Sequence, residues 1–339
     1  MKLALFLFLY SLVSCKSIQN QNLKEVRAEL RYNHFISSDG YKHSLQKWLS
    51  KENSNYVIVG IHGYSDYSNA FKIPSEHFNK FGIDLYSFDL RGFGRNIDNG
   101  QWTNTKLHEK DISEFVNLIK SLNTKKKIFL LGESMGGILA INTLISEGIE
   151  VDGVILVAPA IWNFSEKNFF KSKVLSLLSF CLPDLTLEGG GLLNVKPSDN
   201  YEMLREFSID PNVVHKKSLK SLNGIKVLMD QSYNNFLKYL KKVPYKTLLI
   251  IPLNDQIVPR KPLNEIISTD SFKKFYRNSK LQIATYSGYH HMILRDIDGV
   301  RVTNEIKDWI INPKSNTSKS SFYNVIDQIL DEPFYHRLD

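Results

Sequence analysis

The sequence predicts an α/β protein built on a mostly parallel sheet, and three observations carry that expectation. Short apolar runs of strand length alternate along the chain with stretches whose apolar residues recur at helical spacing. One such run, Lys127-Ile128-Phe129-Leu130-Leu131, passes through Gly132-Glu133-Ser134-Met135-Gly136 straight into a helix-like run, Gly137-Ile138-Leu139-Ala140-Ile141. The alternation breaks once, from about Ile161 to Lys242, where a stretch too long for a simple crossover reads as an inserted, largely helical cap.

Taken in order, residues 28–37 and 43–49 read as an opening antiparallel pair around Ser38-Asp39-Gly40. Tyr56–Ile61, Asp84–Phe88, the strand before Ser134, Val154–Val157, Thr247–Ile251 and Leu281–Thr285 bring the expected sheet to eight strands. Ile112, Phe115, Val116 and Ile119 predict one helix; Ile138, Ile141, Leu144 and Ile145 predict another. Within the cap, Phe170, Val174, Leu177, Leu178 and Cys181 share a helical face, which Phe169, Leu175, Phe180 and Leu182 widen. That apolar surface is expected to be mostly the cap's own core, with Cys181 a packed thiol. Over a nucleophilic serine it would also suit an acyl chain. Gly189-Gly190-Gly191 reads as a flexible break, and the segment after Pro313 as a polar linker leading to a short terminal helix.

The 339 residues, 42% of them apolar, support a sizeable core and exclude a disordered or disulfide-stapled chain. The formal charge of +8 is spread over scattered lysines, with no zinc-finger spacing, recognition helix or aromatic stacking signature, so no nucleic-acid partner is expected. Met1-Lys2 followed by the apolar run Leu3–Leu12 is too short to span a bilayer and reads as an export signal, residues 1–14. It ends in Leu12-Val13-Ser14-Cys15, which resembles the lipobox of bacterial lipoproteins. That resemblance implies lipid attachment at Cys15, a tether over residues 15–27, and a membrane-anchored exported protein, with Lys16 permitting outer-membrane sorting. An ordinary secretory signal with an incidental cysteine is the alternative.

The chemistry converges on Ser134. Glycines at 132 and 136 permit a tight strand-to-helix turn, which lifts the serine oxygen above the sheet and aims helix N-terminal amides at developing negative charge. A serine hydroxyl needs a base, and the base an orienting acid. Asp255 follows the strand Thr247–Ile251, and His290-His291 follow the strand ending near Tyr286, giving the chain order serine, acid, histidine. The loop Ile61-His62-Gly63-Tyr64 is positioned to supply an oxyanion-hole amide from Tyr64 beside that of Met135. His62 lies too early in the chain to be the base and reads as loop-shaping. No metal-ligand spacing or phosphate loop is present, so neither metal nor cofactor is expected.

On these residues the chain resembles the monoacylglycerol lipase and lysophospholipase branch of the α/β-hydrolase superfamily, over about Ala28 to Pro313. The resemblance rests on His62-Gly63, Asp89-Leu90-Arg91-Gly92-Phe93-Gly94, Gly132–Gly137, Asn254–Pro259 and Gly288–Asp296. Val157–Trp162 is similar to the turn that opens the cap in bacterial members named lysophospholipases. It implies the α/β-hydrolase fold and a serine esterase needing no cofactor. Members place the base three residues after a glycine and begin an H-x-x-x-x-[DE] run with it; Gly288 and Asp296 therefore select His291, leaving His290 to border the pocket. Tyr64 and Tyr67 depart from the smaller residues common in that loop, and their bulk would narrow the entrance.

The expected activity is hydrolysis of a fatty-acyl ester of a single-chain lipid, by Ser134, His291 and Asp255 with the Tyr64 and Met135 amides. Carboxylesterase, thioesterase and aminopeptidase activities share this machinery. A peptidase would want carboxylates in the cap to receive an amine, and Glu166, Asp184, Glu188 and Asp199 are scattered. A non-catalytic lipid-binding lipoprotein is the rival of another class.

Overall fold

Val57, Val59 and Ile61 face one side of β4 (Tyr56–Ile61) and Ile58 the other, and all four are buried, as a parallel strand covered on both faces requires. The computed structural model describes residues 27–188, 195–242, 245–270, 272–273, 276 and 280–312. The export signal, most of the tether with Cys15, Gly189-Gly190-Gly191 and the extension after Pro313 lie outside the described residues. β4 pairs in parallel with β5 (Ile83–Phe88) and β6 (Lys127–Glu133); β7 (Gly153–Val157), β10 (Thr247–Pro252) and β11 (Leu281–Tyr286) continue the parallel sheet. β1 (Glu29–Arg31), β2 (His34–Ile36) and β3 (Lys42–Trp48) complete one edge antiparallel, in the order β1-β2-β3-β5-β4-β6-β7-β10-β11.

The described sheet thus has nine strands rather than eight. Residues 28–37 turn back on themselves at Tyr32-Asn33, where the Asn33 carbonyl accepts the Leu45 amide at 3.0 Å. Asparagine favours such turns, and here it splits the expected single strand into a hairpin.

Helices α1 (Lys72–Asn79) and α9 (Gly299–Ile311) cover one face, burying Phe78, Val302, Ile306 and Trp309. α2 (Thr105–Leu122), α3 (Met135–Ser146) and α8 (Lys261–Ile267) cover the other, burying Ile112, Phe115, Ile138 and Leu263 among others.

Between β7 and β10 run α4 (Phe164–Lys167), α5 (Phe169–Cys181), α6 (Tyr201–Ile209) and α7 (Leu219–Lys242). A ribbon of β8 (Thr186–Glu188) against β9 (Lys216–Ser218) joins them, which helical periodicity gave no reason to expect. The end of α7 returns to the body, with Phe236, Tyr239 and Leu240 packed in the sheet's core.

The cap also reverses the expected packing of α5. Its inward residues include Ser172 and Ser179, while Phe169, Phe170 and Phe180 are 67%, 78% and 85% exposed. Cys181 is exposed, not packed. The cause is polar: Lys226 of α7, itself buried, donates to Ser172 Oγ at 3.1 Å and Ser176 Oγ at 3.0 Å, and Ser176 Oγ donates to Asn223 Oδ1 at 3.1 Å. A serine-lined seam turns the apolar stripe outward.

The turn after β6 depends on close approach. A Cβ on Gly136 would overlap the Ile61 carbonyl oxygen, and one on Gly132 the carbonyl of Gly136. Gly136→Ala is expected to destabilise the fold by about 3 kcal/mol or more. Urea denaturation checks this; an unchanged midpoint would contradict the packing described.

Candidate active site

Ser134 joins β6 to α3 at φ 54°, ψ −117°, a conformation costing a non-glycine residue on the order of 1–3 kcal/mol. Neighbouring chain holds it there. The Ser134 amide donates to Val157 O at 2.9 Å, and its carbonyl accepts from Gly137 at 3.0 Å and Ala160 at 3.1 Å. Half-buried, the hydroxyl makes no hydrogen bond among the described residues.

Asp255 and His291 arrive from separate loops, after β10 and β11. His291 Nδ1 lies 2.7 Å from Asp255 Oδ2, while Asp255 Oδ1 accepts the amides of Ile257 at 2.8 Å and Val258 at 3.0 Å. Both carboxylate oxygens are therefore committed, and the imidazole is oriented. His290 points elsewhere, with Nε2 3.1 Å from Asn254 Nδ2 and Nδ1 3.4 Å from Asp296 Oδ2. It is His291, not His290, that meets Asp255. Burial alone would lower the His291 pKa. The charge and hydrogen bond of Asp255, aided by Glu133 and opposed by Arg295, outweigh burial and raise it above the ordinary value.

The loop after β4 runs against the serine: a Cβ on Gly63 would lie 3.3 Å from Ser134 Cβ. The Tyr64 amide makes no backbone hydrogen bond among the described residues, and Met135, opening α3, has no acceptor within its own helix. His62 accepts the Leu90 amide at Nε2, 3.0 Å away, so its Nδ1 carries the proton and donates to Gly63 O at 2.9 Å. It shapes the loop.

Tyr64 and Tyr67 do more than add bulk. Tyr64 Oη lies 2.9 Å from Ser221 Oγ, Tyr67 Oη donates to Asp210 Oδ2 at 2.6 Å, and the Ser65 carbonyl accepts the Val214 amide at 2.9 Å, so the loop is tied to the cap.

A buried ionic layer lies behind the serine. Arg295 donates to Asp66 Oδ2 at 2.6 Å and stands 3.6 Å from Glu133 Oε2. Burial pushes the Glu133 carboxyl pKa up, against the pull of Arg295. Motif reading passed over Asp66, Glu133 and Arg295, although two of them lie inside quoted motifs. A cavity of about 210 Å³ opens beside this layer, lined by Asp66, Tyr67, Met203, Phe207, Asp210 and Arg295 among others; Ser134 and His291 are not in its wall.

One group among the described residues has donor spacing compatible with a metal: Asp199, His290 and Asp296, with ligand atoms within 4.8 Å of one another. Its Asp296 oxygens already accept Ser198 Oγ at 2.6 Å, the Asp199 amide at 3.2 Å and the His290 amide at 2.8 Å. Hydrogen bonding accounts for that cluster.

Residues 52–298 match the family model described as Hydrolase_4: Serine aminopeptidase, S33. The chain belongs to this family. A Schizosaccharomyces pombe relative assigned by name to the monoglyceride lipases is 26% identical over 244 residues, spanning 68% of this Hydrolase_4 chain and 60% of its own. The monoglyceride lipase of Mus musculus is 23% identical, covering 82% and 89% of the two chains. A phospholipase of Bacillus subtilis (strain 168) is 25% identical over 58% of this chain and 72% of its own. Among solved structures, a soluble variant of Saccharomyces cerevisiae monoglyceride lipase with a substrate analogue superposes with TM-score 0.66 at 22% identity, covering 86% of this chain and 97% of that one. A Bacillus coagulans carboxyl esterase gives TM-score 0.65 at 15% identity, covering 84% and 96%. These likenesses establish the α/β-hydrolase fold.

In an NMR titration, the His291 imidazole is expected to titrate above the ordinary value near 6.5, and Asp255→Asn to lower it, because burial then acts with less opposition. Since the folded value is raised, the pairing stabilises the fold below the unfolded pKa and that contribution is lost as pH rises through the folded one. An unshifted titration in Asp255→Asn would show that the carboxylate does not govern the ring.

Proposed function

We propose that this chain is a serine ester hydrolase that releases the fatty acid of a single-chain lipid, a monoacylglycerol or lysophospholipid, through an acyl-enzyme. The observation that carries the reading is the oriented Asp255–His291 pair, taken together with the strained turn that presents Ser134. Ser134 Oγ attacks the ester carbonyl, and His291 Nε2 takes its proton while Asp255 holds the Nδ1–H. The amides of Tyr64 and Met135 receive the oxyanion. The imidazolium returns its proton to the departing alcohol. His291 then draws a proton from water, which attacks the acyl-enzyme, and passes that proton to Ser134 Oγ as its bond to the acyl carbon breaks and the fatty acid leaves.

A lipid substrate is supported by the outward apolar face of α5, with Lys171 and Lys173 exposed on the same helix. Each methylene taken from water contributes about 0.8 kcal/mol, so chain burial can dominate binding. Lipidation at Cys15 and export to a membrane belong to the same proposal and would keep the enzyme at its substrate's surface. Aminopeptidase action fits less well: Asp184 is exposed in a turn, Asp199 accepts the Ile297 amide at 2.8 Å, and Glu166 pairs with Asn163. The named relatives that cleave monoglycerides or phospholipids leave both headgroups open, and a panel of monoacylglycerol against lysophospholipid decides between them.

Ser134→Ala is expected to cut turnover of p-nitrophenyl esters by roughly 10⁴-fold or more and to abolish fluorophosphonate labelling; retained labelling places the nucleophile elsewhere. Across an ester series, kcat/KM should rise with acyl length, and a flat profile would point to a small-ester carboxylesterase. Replacing Phe170 and Phe180 together with serine should weaken association with anionic lipid vesicles at least roughly tenfold, read by cosedimentation; unchanged binding would remove α5 from the lipid contact.

A further inference from the structure

The residues on either side of His291 both have their amides held, one by a side chain further along the histidine loop and one by the cap. The His290 N–H donates to Asp296 Oδ2 at 2.8 Å, and the Met292 N–H donates to the carbonyl of Pro197 at 2.8 Å. Pro197 belongs to the cap, in a strap over residues 196–200 that leads into α6. Asp296, buried, grips the same strap through Ser198 Oγ at 2.6 Å and the Asp199 amide at 3.2 Å. Two further bonds close the seam: Ile297 N–H to Asp199 Oδ1 at 2.8 Å, and Asn200 Nδ2 to Arg295 O at 3.0 Å.

The strap reaches the acid loop as well. The Lys196 amide donates to Gln256 Oε1 at 2.9 Å, next to Asp255. Asn254, on the other side of Asp255, meets the His290 ring at 3.1 Å, and its amide donates to Tyr289 O at 3.0 Å. At its far end the strap supplies the cap of α6, with Asn200 Oδ1 accepting the Met203 amide at 3.1 Å. α6 in turn lies beside the oxyanion loop and the ionic layer, through Tyr67 Oη on Asp210 at 2.6 Å and Phe207 5.9 Å from the Arg295 guanidinium. Base, acid and cap therefore share one hydrogen-bonded unit.

Resting on the hydrolase reading above, we propose that Asp296 and Ser198 are positioning residues: they lock the cap strap to the histidine loop, so that His291 is aligned with Ser134 only while the strap is seated. A buried carboxylate is suited to this because it accepts three donors at once, from the strap and from the amide preceding the base, which a purely apolar contact cannot align. Misplacement of a general base by about 1 Å can cost on the order of 10²-fold in rate. The role is thus distinct from that of Asp255, which touches the imidazole itself.

The test uses the full chain and reads fluorophosphonate inactivation per folded molecule, together with kcat and KM on a p-nitrophenyl ester. Asp296→Asn should slow inactivation and lower kcat by roughly 10²-fold with KM little changed. Ser198→Ala, the milder variant should Asp296→Asn fail to fold, is expected to lose about tenfold, and Ser198→Thr to restore it. Hydrogen exchange over residues 288–297 should quicken in Ser198→Ala. Wild-type inactivation rates in folded variants would overturn the positioning role, whatever happens to their melting temperatures. If the wild-type chain itself takes no label, the hydrolase reading falls; the strap is then judged by exchange alone, quickened exchange supporting the lock and unchanged exchange rejecting it.

Discussion

The packing of α3 against β4 at Gly136 is the constraint from which the rest of the site follows. With no side chain at 136, the helix start closes on the Ile61 carbonyl, and Ser134 is forced to positive φ. That single approach sets the serine above the strand ends, lays Gly63 against it, and brings the first amide of α3 beside the loop carrying Tyr64. Strain of this kind persists only where surrounding chain over-determines it, and here three backbone hydrogen bonds to Ser134 do so.

The protein buries Arg91 and Arg295 in ion pairs. Arg295, Asp66 and Glu133 lie within one layer, and Arg91 is clamped between Asp111 and Asp39 with Nε–Oδ2 and Nη2–Oδ distances of 2.6 and 2.8 Å. Such pairs add little net stability once desolvation is counted, but removing one partner leaves an uncompensated charge. Their directional bonds do fix geometry. Arg295 in particular joins the loop that carries the oxyanion amide to the loop after the base, so the two halves of the site cannot drift independently.

Much of this was legible in the sequence, for reasons that differ by element. The serine turn is local: glycines, strand run and helix run are contiguous, so sterics alone specify the bend. Asp255 and His291 could be read because each follows an apolar run that can only be a strand, and the choice against His290 came from its spacing to Gly288 and Asp296 in a family pattern. The strap could not be read, since Ser198 meets Asp296 across 98 residues of chain, and polar partners of that kind leave no periodicity. The face of α5 was misjudged for a related reason. Helical spacing shows that Phe170, Val174, Leu177 and Leu178 lie together, but not whether that stripe looks in or out. Ser172, Ser176 and Lys226 decided it, and Cys181 went outward with the stripe. Tyr32-Asn33 is a smaller instance, a turn too short to interrupt an alternating pattern.

The serine-lined seam under α5 has a bearing on how the cap behaves among amphiphiles. An insertion glued down by apolar contacts would loosen wherever detergent or fatty acid accumulates, because those molecules compete for the same greasy surface. This helix is attached through a lysine ammonium and hydroxyls, with Ser165 bonded to both Ser172 and Asp230 at its base. Hydrocarbon tails offer no substitute for such bonds. The product of the proposed reaction, a soap, would therefore leave the cap in place where it collects.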